Sequence, residues 1–388
     1  MTTQSKKLAM TAAITAAIAA TPMSALATNG ILQHGNGIVS MGAGGAGVAN
    51  PGEGMSAADN PALAALVGPG WSIQATAFNP NRSANMGRGY VESDSSWFLI
   101  PGGHWFTDVG DNSVAGLTVT PMGGLGTDYP PALFGTQTGI ELSGLLIEPT
   151  AATKVTDNIT LGFGLIFGYQ MMESEGAGPQ GPNGPFFPTT TDDSAWGWGF
   201  EIGAAIQAGP STMIGLDYQS EIWMEDMDEF GNYLFAQASD PALNLPAIVT
   251  VGITQGIGEN WKLSFDISDV PWSSVAVFDE VFGWEDQTVY KLGAEVQLND
   301  TLAMRFGYNR GETPIPDSAV MQNVLAPAVT EDHFTIGFTK KFDAGNLHGF
   351  YAYMPEAEQT QNPVPPGFPA AQIKMDQNAF GLSWEVNL

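Results

Sequence analysis

Between Ile159 and Met171 the chain sets Leu161, Phe163, Leu165, Phe167, Tyr169 and Met171 in one row, and Gly162, Gly164, Ile166, Gly168 and Gln170 in the other. Successive strand residues point to opposite faces, so this stretch reads as a strand with one bulky apolar face and one small or polar face. Ala195 to Gln207 repeats the pattern, with Trp196, Trp198, Phe200, Ile202, Ala204 and Ile206 set against Gly197, Gly199, Glu201, Gly203 and Gln207. A soluble sandwich also alternates. What separates the two is the bulky row, which carries aromatics at one end and aliphatics along its middle, the order of a lipid-facing band with an interfacial girdle.

The same test gives candidate strands at Trp71 to Pro80, Trp97 to Thr107, Ser113 to Thr120, Glu141 to Val155, Asn158 to Met171, Ala195 to Gln207 and Ser211 to Met224. It continues with Pro246 to Ile257, Asn260 to Val270, Gln287 to Leu298, Thr301 to Asn309, Asp332 to Phe342, Gly345 to Met354 and Asp376 to Leu388, fourteen in all. Their connections alternate without a break. Tight turns such as Thr156-Asp157, Gly258-Glu259, Asn299-Asp300 and Asp343-Ala344 are rich in the Gly, Asn and Asp that hairpins demand. Between them come long loops, among them Pro121 to Ile140, Met172 to Ser194, Glu225 to Leu245, Pro271 to Asp286 and Arg310 to Glu331. An even strand number with short turns on one side and long loops on the other predicts an all-β fold, a 14-stranded antiparallel transmembrane β-barrel with both termini in the periplasm. Pro101-Gly102-Gly103 in the second strand and Pro149 in the fourth mark expected bends or bulges.

Composition agrees with a membrane wall. The chain is 44% hydrophobic and only 13% charged, with Gly 48, Trp 10 and Phe 21, yet after its first residues it holds no apolar block long enough for a membrane helix. There is no cysteine, which fits a large exported fold closed by backbone hydrogen bonds rather than by disulfides. A formal net charge of −28 repels nucleic acid and anionic surfaces. The acidic excess reads as solvated loops in preference to metal sites.

Lys6 and Lys7, the Ala-rich stretch Leu8 to Ala20 and the small-x-small Ala25-Leu26-Ala27 predict a cleaved signal peptide over residues 1–27, hence export. An uncleaved anchor fits less well, because the apolar stretch is short and rich in Ala and Thr. Residues 28–70 lack any strand period, and Met41 to Leu66 holds Gly42, Gly44, Gly45, Gly47, Gly52 and Gly54, which suits close packing in a crowded interior. A barrel over residues 71–388 has room inside, so the segment is expected to be a lumenal hatch anchored by Val48, Leu63, Leu66 and Val67, the alternative being a disordered periplasmic tail.

The run GAGGAGVANPGEGMSAADNPALAAL resembles the N-terminal hatch of the FadL/TodX family of outer-membrane transporters, with Asn60-Pro61-Ala62 matching that family's Asn-Pro-Ala motif. Pro121-Met122-Gly123-Gly124-Leu125-Gly126-Thr127-Asp128-Tyr129, Gly283-Trp284-Glu285-Asp286-Gln287, Tyr290 to Glu295, Arg305-Phe306-Gly307-Tyr308 and Thr313 to Asp317 extend the resemblance over nearly the whole exported chain. It implies passive uptake of hydrophobic small molecules, long-chain fatty acids or hydrocarbons, across the outer membrane of a Gram-negative bacterium. It also implies an apolar groove between the third and fourth long loops, a pocket against the hatch, and a lateral exit at a kink in the third strand. Phe186, Phe187, Phe230, Tyr233, Leu234 and Phe235 are the aromatic and apolar residues those loops supply. They read equally as a groove or as loops packed on themselves.

Period two also turns Lys262, Asp266, Lys291, Glu295 and Arg305 inward. If the Asn299-Asp300 turn sets Glu295 opposite Arg305, the two neutralise each other as a structural pair. Lys291 then remains the candidate partner for a carboxylate, although so few bases among so many acids suit a neutral substrate at least as well. His34, His104, His333 and His348 are scattered, without metal-ligand spacing or a catalytic dyad, so neither an enzyme nor a cofactor is expected. A general diffusion porin is the chief rival and an outer-membrane lipid-modifying enzyme the weaker one. The expected surroundings are a hydrophobic substrate, outer-membrane lipids and lipopolysaccharide around a monomer.

Overall fold

The computed structural model describes residues 29–176, 180–181, 184–185, 190–231, 233–364 and 366–388. The signal peptide expected at 1–27 lies outside the described residues, as do Phe186 and Phe187.

Seventeen hydrogen-bonded segments form one antiparallel sheet that closes on itself. Three of them, Tyr90–Glu92, Leu125–Tyr129 and Trp223–Met224, are short pieces beside or in line with longer strands, which leaves a wall of fourteen. In chain order these are β1 (Gly70–Asn85), β2 (Phe98–Gly110), β3 (Ser113–Pro121), β4 (Thr138–Thr156), β5 (Ile159–Glu175), β6 (Thr190–Gly209) and β7 (Thr212–Gln219). The circuit continues with β8 (Ile248–Ile257), β9 (Trp261–Val270), β10 (Gln287–Asn299), β11 (Leu302–Gly311), β12 (Asp332–Phe342), β13 (Gly345–Thr360) and β14 (Gln372–Asn387). Closure is by β1 on β14, in unbroken register from Gly70 opposite Asn387 to Asn85 opposite Gln372.

The two faces are those of the alternation. Leu161, Phe163, Leu165 and Phe167 are exposed on the outside, while Ile166 and Gln170 are buried within. Aromatic contacts near the loop end, Tyr169 on Trp196 at 4.6 Å and Trp198 on Trp223 at 4.9 Å, build the girdle. Several strands run further than period two predicts. β1 continues through Pro80 and β13 through Pro355, the latter with a register shift between Met354 and Ala357 that absorbs the missing N–H. β5 and β6 stay paired out to Glu175 and Thr190, beyond the apolar band, where no hydrophobic pattern can mark them.

Irregular chain from Asn29 to Gly68 touches wall strands on every side of the closed sheet, which puts it inside. The Gly44 N–H donates to Thr335 Oγ1 at 2.9 Å on β12, and those of Gly47 and Val48 to Asp266 Oδ2 on β9 at 2.8 and 3.0 Å. On β14, Glu385 Oε1 accepts from the Gly54 N–H at 2.6 Å. An irregular backbone buried away from water must find such partners, and bonds to charged groups are worth about 1.5–3 kcal/mol each. Asn60 explains the Asn-Pro-Ala run. Its Oδ1 accepts from the Ala62 N–H at 3.0 Å, capping the short turn Pro61–Leu63, while its Nδ2 donates to Val48 O at 2.9 Å and to Ala204 O on β6 at 3.1 Å. Pro61 opens the turn where no N–H is needed. Gly203 lets the turn lie flush on the wall, since a Cβ there would sit 1.9 Å from Asn60 Oδ1.

Glu53 lies inside this segment with Oε1 accepting from the Val39 N–H, near His348 and Glu385. Burial, its largest influence, pushes its carboxyl up from 4.5 to about 7. The seated carboxyl thus holds its proton more tightly than a solvated one. Its contribution to seating is full below about 4.5 and is lost as pH rises through about 7.

Two outcomes follow from this packing. Asn60→Ala removes the cap and both long-range bonds, and should loosen residues 29–68 by about 1–2 kcal/mol, read as faster proteolysis there with the heat-modifiable gel mobility of the barrel unchanged. Amide exchange across Gly37 to Ser56, corrected for the intrinsic pH dependence of exchange, should rise between mildly acidic and mildly alkaline buffer, and Glu53→Gln should flatten that rise; slower exchange in alkali would contradict the assignment.

Candidate functional site

The wall is incomplete between β2 and β3. The β2–β3 ladder runs from Gly110 opposite Ser113 to Gly103 opposite Val119 and stops. Past Pro121 the third strand breaks at Met122 to Gly124, and Leu125–Tyr129 pairs only with β4. Contact across the gap resumes where the Asp94 N–H donates to Asp128 O at 2.7 Å. Gly123 makes the break possible. Its φ of +105 is one that side-chain-bearing residues rarely adopt, and a Cβ there would sit 2.3 Å from Ile31 O. The Gly124 N–H donates to that same Ile31 oxygen at 3.0 Å, so the N-terminal segment caps the gap from inside.

Above Ile31, toward the long loops, lies a continuous apolar cluster. Trp272 meets Trp284 edge-on at 5.0 Å, and Phe278 stacks on Trp284 at 4.8 Å. The Trp284 indole N–H donates to Asn323 Oδ1 at 2.7 Å, and Asn323 Nδ2 donates to Phe282 O at 2.7 Å, which ties the loop after β9 to the loop after β11. The fourth long loop joins the same cluster. Phe230 and Phe235 are both buried, 5.9 Å apart, with Phe235 edge-on to Phe282 at 6.5 Å. Leu234 is half-buried against them, and Tyr233 is exposed. Of the six apolar loop residues singled out from sequence, the structure therefore brings Phe230, Leu234 and Phe235 together and leaves Tyr233 outside the cluster.

Below the cluster a cavity of about 110 Å³ lies between the N-terminal segment and the wall. Leu32, Met122, Leu146 and Leu245 form its apolar side, and Asp59, Glu201, Asp217, Asp266 and Lys291 its polar side. Met122 belongs to the strand break, so cavity and gap adjoin. Burial raises the Asp59 carboxyl above its ordinary range, opposed by neighbouring Lys291 and by the bonds from Asn36 to its Oδ1. Burial also lowers His34 to about 3, helped by neighbouring His333, so at neutral pH His34 is an uncharged donor, placed 3.2 Å from Met41 O. Among the described residues no cluster of three or more His, Asp or Glu is placed to hold a metal ion.

The other charges are accounted for. Glu295 stands directly opposite Arg305 in the β10–β11 register and binds its Nε at 2.6 Å, and its second oxygen meets Lys262 Nζ at 2.8 Å. Arg82 was not singled out from sequence. It donates through Nη1 to Gly126 O just past the break and lies over the Phe98 ring at 5.4 Å, beside a pocket of only about 10 Å³. Asp59, Glu201 and Asp217 were missed as a group too. The available signal was an acid at an inward position between bulky outward neighbours, as Glu201 is between Phe200 and Ile202, and Asp217 between Leu216 and Tyr218. Sequence spacing alone could not show that these acids converge on one cavity, because Asp59 lies in the N-terminal segment and Glu201 and Asp217 on separate strands.

The architecture recurs in solved structures. The toluene transporter TodX of Pseudomonas putida superposes with a TM-score of 0.71 at 16% identity, over 93% of this chain and 100% of that one. A FadL homologue of Pseudomonas aeruginosa gives 0.69 at 16% identity over 94% and 99%, and the toluene transporter TbuX of Ralstonia pickettii 0.68 at 17% over 92% and 99%. At such identities the likeness speaks for the fold alone. No curated protein matches by sequence. The family described as outer membrane protein transport protein (OMPP1/FadL/TodX), a family of channels and not of enzymes, matches residues 25–387. The chain is therefore a bacterial outer-membrane β-barrel and belongs to the OMPP1/FadL/TodX transport family.

Proposed function

We propose that the chain carries hydrophobic small molecules, long-chain fatty acids or hydrocarbons, passively across the outer membrane, with residues 28–70 as its hatch. The observation that carries this reading is the juxtaposition of a gap in the wall, an internal segment hydrogen-bonded to that gap, and an apolar cluster leading to it from the loop side. Substrate enters among Phe230, Leu234 and Phe235, with Tyr233 at the rim and Phe186 and Phe187 contributed by the third loop. It then displaces the contacts around Ile31 and leaves sideways between β2 and β3 into the bilayer, without crossing the polar lumen. Support also comes from TodX and TbuX, which are toluene transporters on the same fold. Lipids and lipopolysaccharide cover the outer band, and one chain forms one channel. The porin alternative requires an open polar lumen, and the segment from Asn29 to Gly68 occupies that space.

In proteoliposomes the protein should speed entry of a labelled hydrocarbon or fatty acid while leaving sugars and small ions excluded; free sugar flux without faster hydrocarbon entry would overturn the proposal. Deleting Thr28 to Leu66 should open the lumen and raise nonspecific conductance in planar bilayers by about an order of magnitude or more. Unchanged conductance would reduce the segment to a tail.

A further inference from the structure

The cavity beneath Leu32 has an unbalanced lining. Asn29 Oδ1, Asp217 Oδ1 and Asp266 Oδ1 all lack a hydrogen-bond partner, and each belongs to a side chain no more than 8% exposed. Asp59 Oδ2 adds a fourth unpartnered acceptor, and among the described lining residues the one fully buried unpartnered donor is Gln33 Nε2. Buried polar atoms are nearly always satisfied, so five orphans around one cavity mark a place built to hold something polar. Among these buried atoms orphan acceptors outnumber orphan donors four to one. The space of about 110 Å³ is several times the roughly 10–15 Å³ that one water needs, and its other side is apolar.

We propose that this cavity is a polar subsite for the hydrogen-bond-donating head group, hydroxyl or ammonium, of an otherwise apolar substrate, and that it turns carboxylates away. The proposal rests on the channel reading above and narrows it, ranking fatty acids, which are carboxylates near neutral pH, below alcohols and amines at this subsite. A hydroxyl brings a donor to the orphan acceptors and an ammonium brings three, whereas a carboxylate brings only further acceptors. Among the described lining residues Lys291 is the only basic one, and it already faces the carboxyl groups of Asp59, Glu201, Asp217 and Asp266, with which an entering carboxylate has to compete. Among the described residues no better berth for a carboxylate adjoins the path. Arg305 and Lys262 are both bound to Glu295, and the space beside Arg82, about 10 Å³, is that of one water. The apolar wall of Met122, Leu146 and Leu245 receives the first carbons of the chain, and its position beside the strand break keeps the remainder within reach of the gap.

The test uses the full exported chain in detergent, incubated near neutral pH with an equimolar mixture of dodecanol, dodecylamine, laurate and dodecane, and quantifies what is retained after gel filtration by mass spectrometry against empty micelles. Dodecanol, dodecylamine or both should be enriched about tenfold over laurate and dodecane, the scale of one or two charge-assisted hydrogen bonds. Enrichment of the amine alone assigns recognition to charge; enrichment of the alcohol as well assigns it to hydrogen bonding. Asp217→Asn should reduce the preference over laurate at least severalfold, with Glu201→Gln as the second variant should the first fail to show the heat-modifiable mobility of a folded barrel. If laurate or dodecane is retained as well as the alcohol and amine, the subsite proposal falls and the channel reading stands. If none of the four is retained above empty micelles, water fills the cavity and both fall.

Discussion

A backbone N–H in hydrocarbon has no water to turn to, and the rest of this structure follows from that. The wall must close, and it does so by β1 on β14 through unbroken register. Where the β2–β3 ladder lapses, the missing partners have to come from elsewhere. The Met122 N–H finds Gly144 O at 3.0 Å, the Gly124 N–H finds Ile31 O, and Pro101 in the facing strand has no N–H at all. The gap is therefore tolerable only because a segment from inside covers it. The gap and the seating of the N-terminal segment are coupled there, since separating Ile31 from Gly124 strips a buried donor of its partner.

Closure creates an interior, and the interior decides where the acids go. A glycine-rich segment without helix or strand over most of its length presents backbone donors in irregular directions. Asp266 answers two of them and Glu385 a third, while Glu53 does the same within the segment itself. The acidic excess is thus more than loop solvation. Glu148, Glu201, Asp217, Asp266 and Glu385 are all buried wall residues. Asp266 belongs to both groups, since it accepts from the Gly47 and Val48 N–H groups and also lines the cavity beside the segment.

Period two made the wall legible because lipid outside and a crowded lumen inside impose different residues on alternate positions, as at Leu161 to Gln170. It failed where that contrast disappears. Past the apolar band, Glu173 to Glu175 and Thr190 to Asp192 pair without any hydrophobic signal. Strand limits expected at Pro80 and Met354 fall short of the wall, which runs on through Pro80 and Pro355. Glu295 opposite Arg305 was readable because a two-residue turn fixes register between neighbouring strands. The convergence of Asp59, Glu201, Asp217 and Asp266 was not, because nothing local links an internal segment to β6, β7 and β9. Likewise the Asn-Pro-Ala run was recognisable as a motif, while its reason, a cap that also reaches Val48 and Ala204, needed the fold.

The aromatic cluster at the loop end bears on selectivity in a way that pore diameter does not. Trp272, Phe278, Phe282 and Trp284 fill the space above Ile31, and within this arrangement the apolar contacts are continuous. A hydrocarbon that enters exchanges ring-to-ring contacts for ring-to-substrate contacts of the same kind, so the free-energy change along its path is small. A sugar making the same exchange loses its hydration without recovering hydrogen bonds, at a cost of several kcal/mol for its hydroxyls together. Discrimination against polar solutes thus needs no narrow ring of charges. It needs only that every route from the loops to the gap pass through side chains that can be parted by apolar surface and by little else.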